Sequence, residues 1–329
     1  MVKTLADELF ERGYEVTVYY FDDLKGINFK CPTKRISYLS SEPFRNNDII
    51  HSHSFRPDIY NLVRGVFFRK PKISTAHCYV YQDFAMFYGK IVSVVFGSLW
   101  IQIWRRFRMV VQLTDDMEKY YRSYLRSDRM CVIHNAKFVD RFEPEITETE
   151  KAVLDGWSAR NLSVLGISAK LIPRKGIDQV IRALPSLPGF AALVLGDGQE
   201  AENLRDLARL GGVEDRVLWG GFRENSYRFL KYVDISVLPS FSEGFPLALL
   251  EAIYFEKPIV CSGIPTHRSI FTEEEVGFFE LGDIQDLVRA IEKTYARRKV
   301  IRARMKELSI KYSLDAMTES YLKLYRACL

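Results

Sequence analysis

The chain has 329 residues, 47% of them hydrophobic and 27% charged, which describes a soluble globular protein with room for two domains. Its net charge of +5 is mild; it fits an anionic ligand or an acidic membrane surface without specifying either. Five cysteines with no close pair exclude a disulfide frame and a zinc site, no signal peptide is visible, and no run reaches the length of a membrane span. A cytoplasmic protein with reduced thiols is expected.

Short β-branched runs alternate with helical patterns along the whole chain, the mark of parallel α/β structure. An amphipathic helix over 2–11 precedes a strand over 14–21, and further strands are expected at 48–51, 72–75 and 130–133. The uncharged segment 91–104 is followed at once by Arg105, Arg106 and Arg108. It is too short to cross a bilayer; its aromatic and basic flanks suit a helix lying in a membrane interface, and a buried helix with a basic end fits the same residues. Phe67-Phe68-Arg69-Lys70 is a smaller patch of this kind. The acidic, proline-broken stretch 142–150 is expected to connect two domains. Beyond it the rhythm restarts, with strands at 162–167, 191–195, 216–219, 234–238 and 258–261. Domains are expected at 1–145 and 155–300, with 301–329 a helical segment packing back towards the first.

The most informative stretch follows the apolar run 234–239: Ser242-Glu243-Gly244-Phe245-Pro246-Leu247-Ala248-Leu249-Leu250-Glu251-Ala252. Pro246 suits the first turn of a helix, where a missing N–H costs little. Everything after it through Phe255 is apolar except Glu251, so this helix is buried. A carboxylate inside it must be hydrogen-bonded or paired, because burying it alone costs several kcal/mol. Glu243 stands in the glycine loop at the helix mouth, whose free N–H groups form an anion site. Acceptors for hydroxyls beside donors for a phosphate suit a sugar nucleotide. A glutamate satisfied by the protein itself, with Glu243 as a cap, is the plainer reading of the same residues.

A second loop, 166–176, packs Lys170, Arg174 and Lys175 just beyond the end of a strand, where they would neutralise a diphosphate. Gly196-Asp197-Gly198 reads as a tight strand-to-helix turn, and Trp219-Gly220-Gly221-Phe222 as the bound of a planar-ring pocket. In the first half, Ser74-Thr75-Ala76-His77 places His77 at a strand end. His51, His53 and Arg56 occupy the preceding strand end, with no carboxylate cluster to make a metal site.

The two acidic residues, separated by seven others within Ser-Glu-Gly-Phe-Pro, resemble the signature of the family 4 retaining glycosyltransferases. The resemblance implies the GT-B fold, an α/β arrangement of two Rossmann-like parallel-sheet domains facing each other across a cleft, the first for the acceptor and the second for a nucleotide sugar. It implies that Glu251 holds the ribose, that Glu243 meets the donor sugar, and that the Gly244, Phe245 and Leu247 region serves sugar and phosphate. Lys175 matches the family lysine. Lys170 stands where arginine is usual and Ala169 where glycine is usual, and lysine keeps the charge without the bidentate fork. His77 matches a histidine that touches the donor sugar. Catalysis would rest on His77, Lys170, Lys175 and Glu243, with net retention, no metal and no cofactor beyond the nucleotide-diphosphate sugar; the sequence holds no Asp-x-Asp. The implied acceptor is a saccharide or polyprenyl-linked saccharide of bacterial surface polysaccharide, such as lipopolysaccharide or capsule. The enzyme would touch the inner face of the membrane through 91–108, and no nucleic-acid partner is expected. Two departures stand out. The chain opens directly on the helix 2–11, without the family's first apolar strand and glycine-rich loop, so an incomplete first domain is expected. Ala136 replaces the glycine usual after Asn135. A catalytically silent GT-B binding subunit and a GT-B epimerase are the rival readings, the paired-glutamate spacing speaking against the second.

Overall fold

The computed structural model describes residues 1–22 and 26–329, which divide into two compact units, 1–138 with 312–329 and 139–311. The first unit opens with α1 (Val2–Glu11), which buries Leu5, Ala6 and Leu9 on one side as its apolar spacing requires. Strands β1 (Val18–Tyr20) and β2 (Thr33–Arg35) form a parallel pair of their own. After α2 (Glu42–Asn46) come β3 (Ile50–His53), α3 (Phe55–Gly65), β4 (Lys72–Thr75), α4 (Val80–Tyr88) and α5 (Lys90–Trp104). They are followed by β5 (Met109–Gln112), α6 (Asp115–Tyr121) and β6 (Met130–Val132). Strands β3 to β6 make a parallel sheet in chain order.

The strand expected at 14–21 keeps only its last residues, because 14–17 run as a connection out of α1. Strands β2 and β5 were not legible. Thr33–Arg35 is wholly exposed, and Met109-Val110-Val111-Gln112 follows so closely on the arginines after α5 that it merges with their flank. Helix α5 is two-sided: Ser93, Gly97, Trp100, Ile101, Ile103 and Trp104 are buried, whereas Ile91, Val94, Val95 and Leu99 are exposed. Beneath it lies Asp58 of α3, fully buried, accepting from Ser52 Oγ at 2.5 Å, Ser74 Oγ at 2.9 Å, Trp100 Nε1 at 2.7 Å and Trp104 Nε1 at 2.8 Å.

The second unit begins with α7 (Glu148–Ala159), started by a capping box between Thr147 and Glu150. It continues through β7 (Ser163–Ser168), α8 (Ile177–Ala183), β8 (Phe190–Leu195), α9 (Ala201–Leu210), β9 (Val217–Gly221) and β10 (Ile235–Leu238). Then come α10 (Leu247–Tyr254), β11 (Ile259–Ser262), α11 (Pro265–Ile270), β12 (Gly277–Phe279), α12 (Ile284–Ala296) and α13 (Arg298–Lys311). The sheet is parallel throughout in the order β12-β11-β10-β7-β8-β9, a doubly wound Rossmann arrangement. Its inner strands are apolar on both faces, as helices on both sides demand.

The break expected at 301 falls later. Helix α13 packs on α10 and stays with the second unit, and the chain returns to the first only with α14 (Leu314–Cys328). There Met317, Tyr321 and Leu322 join Leu5, Leu9, Ile73 and Val111 in one core. Arg12 of α1 clamps α14 through Asp315 at 2.5 Å and Glu319 at 2.7 Å. Ala136 sits outside the left-handed region, so the absent glycine causes no strain there.

Candidate active site

In the second unit the strand order reverses between β7 and β10, and the loops leaving their carboxyl ends, 169–176 and 239–246, lie side by side there. Crevices at such switch points are where doubly wound sheets bind ligands. Gly176 makes the approach possible. It has φ +61°, and a Cβ on it would stand 2.2 Å from the Pro239 carbonyl oxygen. Gln179, buried on α8, donates to that same oxygen at 3.0 Å and accepts from Gly282 N–H at 2.8 Å, tying three loops together.

Glu243 is 6% exposed. Its Oε1 accepts from Lys175 Nζ at 2.5 Å and Ser240 Oγ at 2.7 Å, and Arg174 lies 3.9 Å from Oε2 while donating to the Ser242 carbonyl at 2.7 Å. Thr266 Oγ1 fixes the Glu243 carbonyl at 2.8 Å. The structure therefore joins Lys175 and Glu243, expected to serve diphosphate and sugar separately, into one buried pair. Gly244, Phe245 and Pro246 lead into α10, where Leu247 and Ala248 present first-turn N–H groups that have no acceptor within the helix. Glu251, 5% exposed, lies on the same helix one turn on.

His267 was missed in the sequence. It sits on α11 just past the carboxyl end of β11, fully buried. Its Nδ1 lies 2.9 Å from the Ser262 carbonyl and so carries the hydrogen, which leaves Nε2 a lone-pair acceptor without a partner among the described residues. Burial lowers its pKa, against an upward pull from the Ser262 carbonyl and the Glu243 charge. The legible signal was its place: a third polar residue at the carboxyl end of a neighbouring strand.

Lys170 does not join this cluster. It lines a cavity of about 720 Å³ over the carboxyl ends of β7, β8 and β9, with Ser168, Phe222, Arg223, Glu224 and Ser226. Arg223 is held there by Glu150 at 2.5 Å. Gly196 belongs to packing: a Cβ on it would lie 1.8 Å from the Ala169 carbonyl oxygen, so the Gly-Asp-Gly turn is structural.

His77 belongs to the first unit, beyond the end of β4. Its Nε2 lies 3.0 Å from His53 Nδ1, the His53 ring lies 4.3 Å from the His51 ring and tilted 39° to it, and His51 bonds Tyr325 Oη and Thr75 Oγ1, both at 2.8 Å. Burial is the main cause in all three: it pushes His77 down to about 4, His51 to about 3, and His53 well below its ordinary value. All three are neutral in the folded protein at neutral pH. Because the unfolded chain binds these protons near pH 6.5 and the native one only at about 4 or below, this contribution to stability is complete above 6.5 and is lost as pH falls towards 4. The melting temperature of the wild type should drop over that interval, and His53→Asn should make the drop shallower; equal slopes would contradict the assignment.

Fold and site together define a glycosyltransferase of the GT-B class. Residues 1–137 match the model described as Glycosyltransferase Family 4 and residues 159–311 that described as Glycosyl transferases group 1; the chain belongs to these families. The O-antigen biosynthesis glycosyltransferase WclY of Escherichia coli is 28% identical over 337 residues, spanning 99% of this chain and 92% of that protein. The UDP-Gal:alpha-D-GlcNAc-diphosphoundecaprenol alpha-1,3-galactosyltransferase of Escherichia coli is 26% identical over 74% of this chain and 65% of its own length. Among solved structures, HepE of Anabaena in complex with UDP and glucose superimposes with a TM-score of 0.82 at 17% identity, covering 99% of this chain and 95% of that one. Among the described residues no helix is long and apolar enough to cross a membrane.

Proposed function

We propose that this glycosyltransferase moves a hexose from a nucleoside-diphosphate sugar to a lipid-linked saccharide of bacterial surface polysaccharide, with retention and without a metal. The observation that carries the reading is the Glu243–Lys175 pair, buried at the mouth of α10 on the switch point of the sheet. In the reaction the bond from the anomeric carbon to the phosphate oxygen breaks and a bond to the acceptor oxygen forms on the same face. The acceptor proton passes to the departing phosphate. Lys175 and the N–H groups of Leu247 and Ala248 offset the charge that grows on the leaving diphosphate. Glu243 orients Lys175 and meets the sugar, and Glu251 takes the ribose.

The relatives support the substrate class: one is named for O-antigen biosynthesis, another for a UDP-galactose donor and a diphosphoundecaprenol-linked acceptor, and HepE was solved with UDP and glucose. A peripheral membrane contact through 91–108 fits the exposed side of α5, where Ile91 is 82% exposed beside Lys90 and ahead of the arginines that end the helix. The test is transfer from UDP-galactose, UDP-glucose or GDP-mannose to an undecaprenyl-diphosphate-linked N-acetylhexosamine, with the new linkage read by proton NMR. An α-linkage from an α-configured donor is expected; a β-linkage would refute retention, and hydrolysis without acceptor dependence would refute transfer to the lipid-linked saccharide.

A further inference from the structure

A second cavity, ringed by arginines, lies in the first unit, at the opposite end of its sheet from the histidines. It occupies about 440 Å³ between the turn after α5, the turn after α6 and the start of β6, and Arg105, Arg122, Arg126 and Arg129 line it over a floor of Trp104 and Leu125. Two of the four guanidinium groups are already neutralised. Arg122 takes both oxygens of Glu118, the shorter bond at 2.9 Å, and Arg126 grips Asp128 through two bonds of 3.0 Å. The other two have no carboxylate partner among the described residues. Arg105 Nε donates to the Tyr124 carbonyl at 2.9 Å, and Arg129 Nη1 to the Arg105 carbonyl at 2.6 Å. Each is thus pinned in place by a backbone oxygen while keeping its full charge and most of its N–H donors unspent.

Four cations against two carboxylates, with Arg105 and Arg129 each tied to a backbone oxygen, leave a net positive charge around the cavity, offset in part where Asp128 feels Arg129 as well as Arg126. It is a good arrangement for a tetrahedral oxyanion. Planar forks match phosphoryl oxygens two at a time, and the ordering cost of the side chains has already been met by the carbonyl bonds. We propose that this cavity binds a phosphoryl group, carried by an anionic lipid headgroup or by a soluble diphosphate. The site is separate from the transfer site in the second unit.

Isothermal titration of the full chain with inorganic pyrophosphate, and co-sedimentation with phosphatidylglycerol and phosphatidylcholine vesicles, separate the two sources. Lys175→Ala removes any pyrophosphate held at the transfer site. Ser123→Glu places a carboxylate among the lining residues from an exposed side chain that makes no hydrogen bond among the described residues, so it does not depend on the fold tolerating loss of an arginine. Arg105→Ala with Arg129→Ala is the companion variant. Both should weaken anion binding by about tenfold or more, the worth of a charge-assisted hydrogen bond of about 1.5 kcal/mol. If the loss falls on the pyrophosphate binding that survives Lys175→Ala, the ligand is soluble. If it falls on phosphatidylglycerol vesicles with phosphatidylcholine unaffected, the ligand is a headgroup. Unchanged binding of both probes by Ser123→Glu overturns the proposal and leaves the transfer site standing; pyrophosphate binding sensitive to Ser123→Glu but not to Lys175→Ala does the reverse.

Discussion

Lys175→Ala is expected to lower kcat by about two to three orders of magnitude, the loss that follows removal of one preorganised electrostatic donor to a developing anion. The charge on the leaving diphosphate grows as its bond to the sugar breaks, so a cation at this point acts more on the transition state than on the bound donor. KM for the donor should therefore rise less than kcat falls. The variant also strips Glu243 of its nearest cation, leaving Ser240 and the more distant Arg174. That second effect is separable: Glu243→Gln alone, and the two substitutions together, form a cycle that isolates the coupling of the pair. Non-additive losses are expected because the residues touch at 2.5 Å. A single variant with kcat unchanged would refute the proposed role of Lys175.

Asp58→Ala is expected to destabilise the first unit by about 4 kcal/mol or more, since each of four buried donors would lose its acceptor at about 1–3 kcal/mol apiece. Asp58→Asn keeps one acceptor oxygen and should cost less. The measurement is urea unfolding followed by tryptophan fluorescence, because Trp100 and Trp104 are the reporters bonded to the carboxylate. The pH dependence carries a further signature. Burial raises Asp58 to about 6 in spite of its four donors, above the 3.8 of an ordinary aspartate. Its contribution is then complete below pH 3.8 and is lost as pH rises through about 6, opposite in sign to the histidines of the same unit. Removing it should steepen the acid-side loss of stability; an unaltered slope with unaltered stability would show that the hub is dispensable.

Much of the second unit was legible because its strands are continuous apolar runs bounded by glycine and proline, and a strand buried on both faces leaves that mark. The strands expected at 191–195 and 234–238 differ from β8 and β10 by a single residue at the start. The first unit was less legible. Its strands are four residues or fewer, β2 is exposed along its length, and β5 hides behind a basic turn, so periodicity had little to work on. The glutamate loop was readable for a local reason, a lone acid in an apolar helix, which is a cost the chain must offset somewhere. What it is offset by was not readable. The Lys175–Glu243 pair and the contact between His53 and His77 each join residues from separate βα units.

The amino-acid order by itself determined the class: alternating short strands and helices, the Ser-Glu-Gly-Phe-Pro turn at a buried helix mouth, and the cations after β7, because propensity, periodicity and the cost of a buried charge act within a few residues. Only the tertiary structure decided the pairings. Which cation meets which carboxylate, why Lys170 turns to a different cavity from Lys175, and how α14 returns to close the first unit depend on the strand order, which brings distant loops within hydrogen-bond reach.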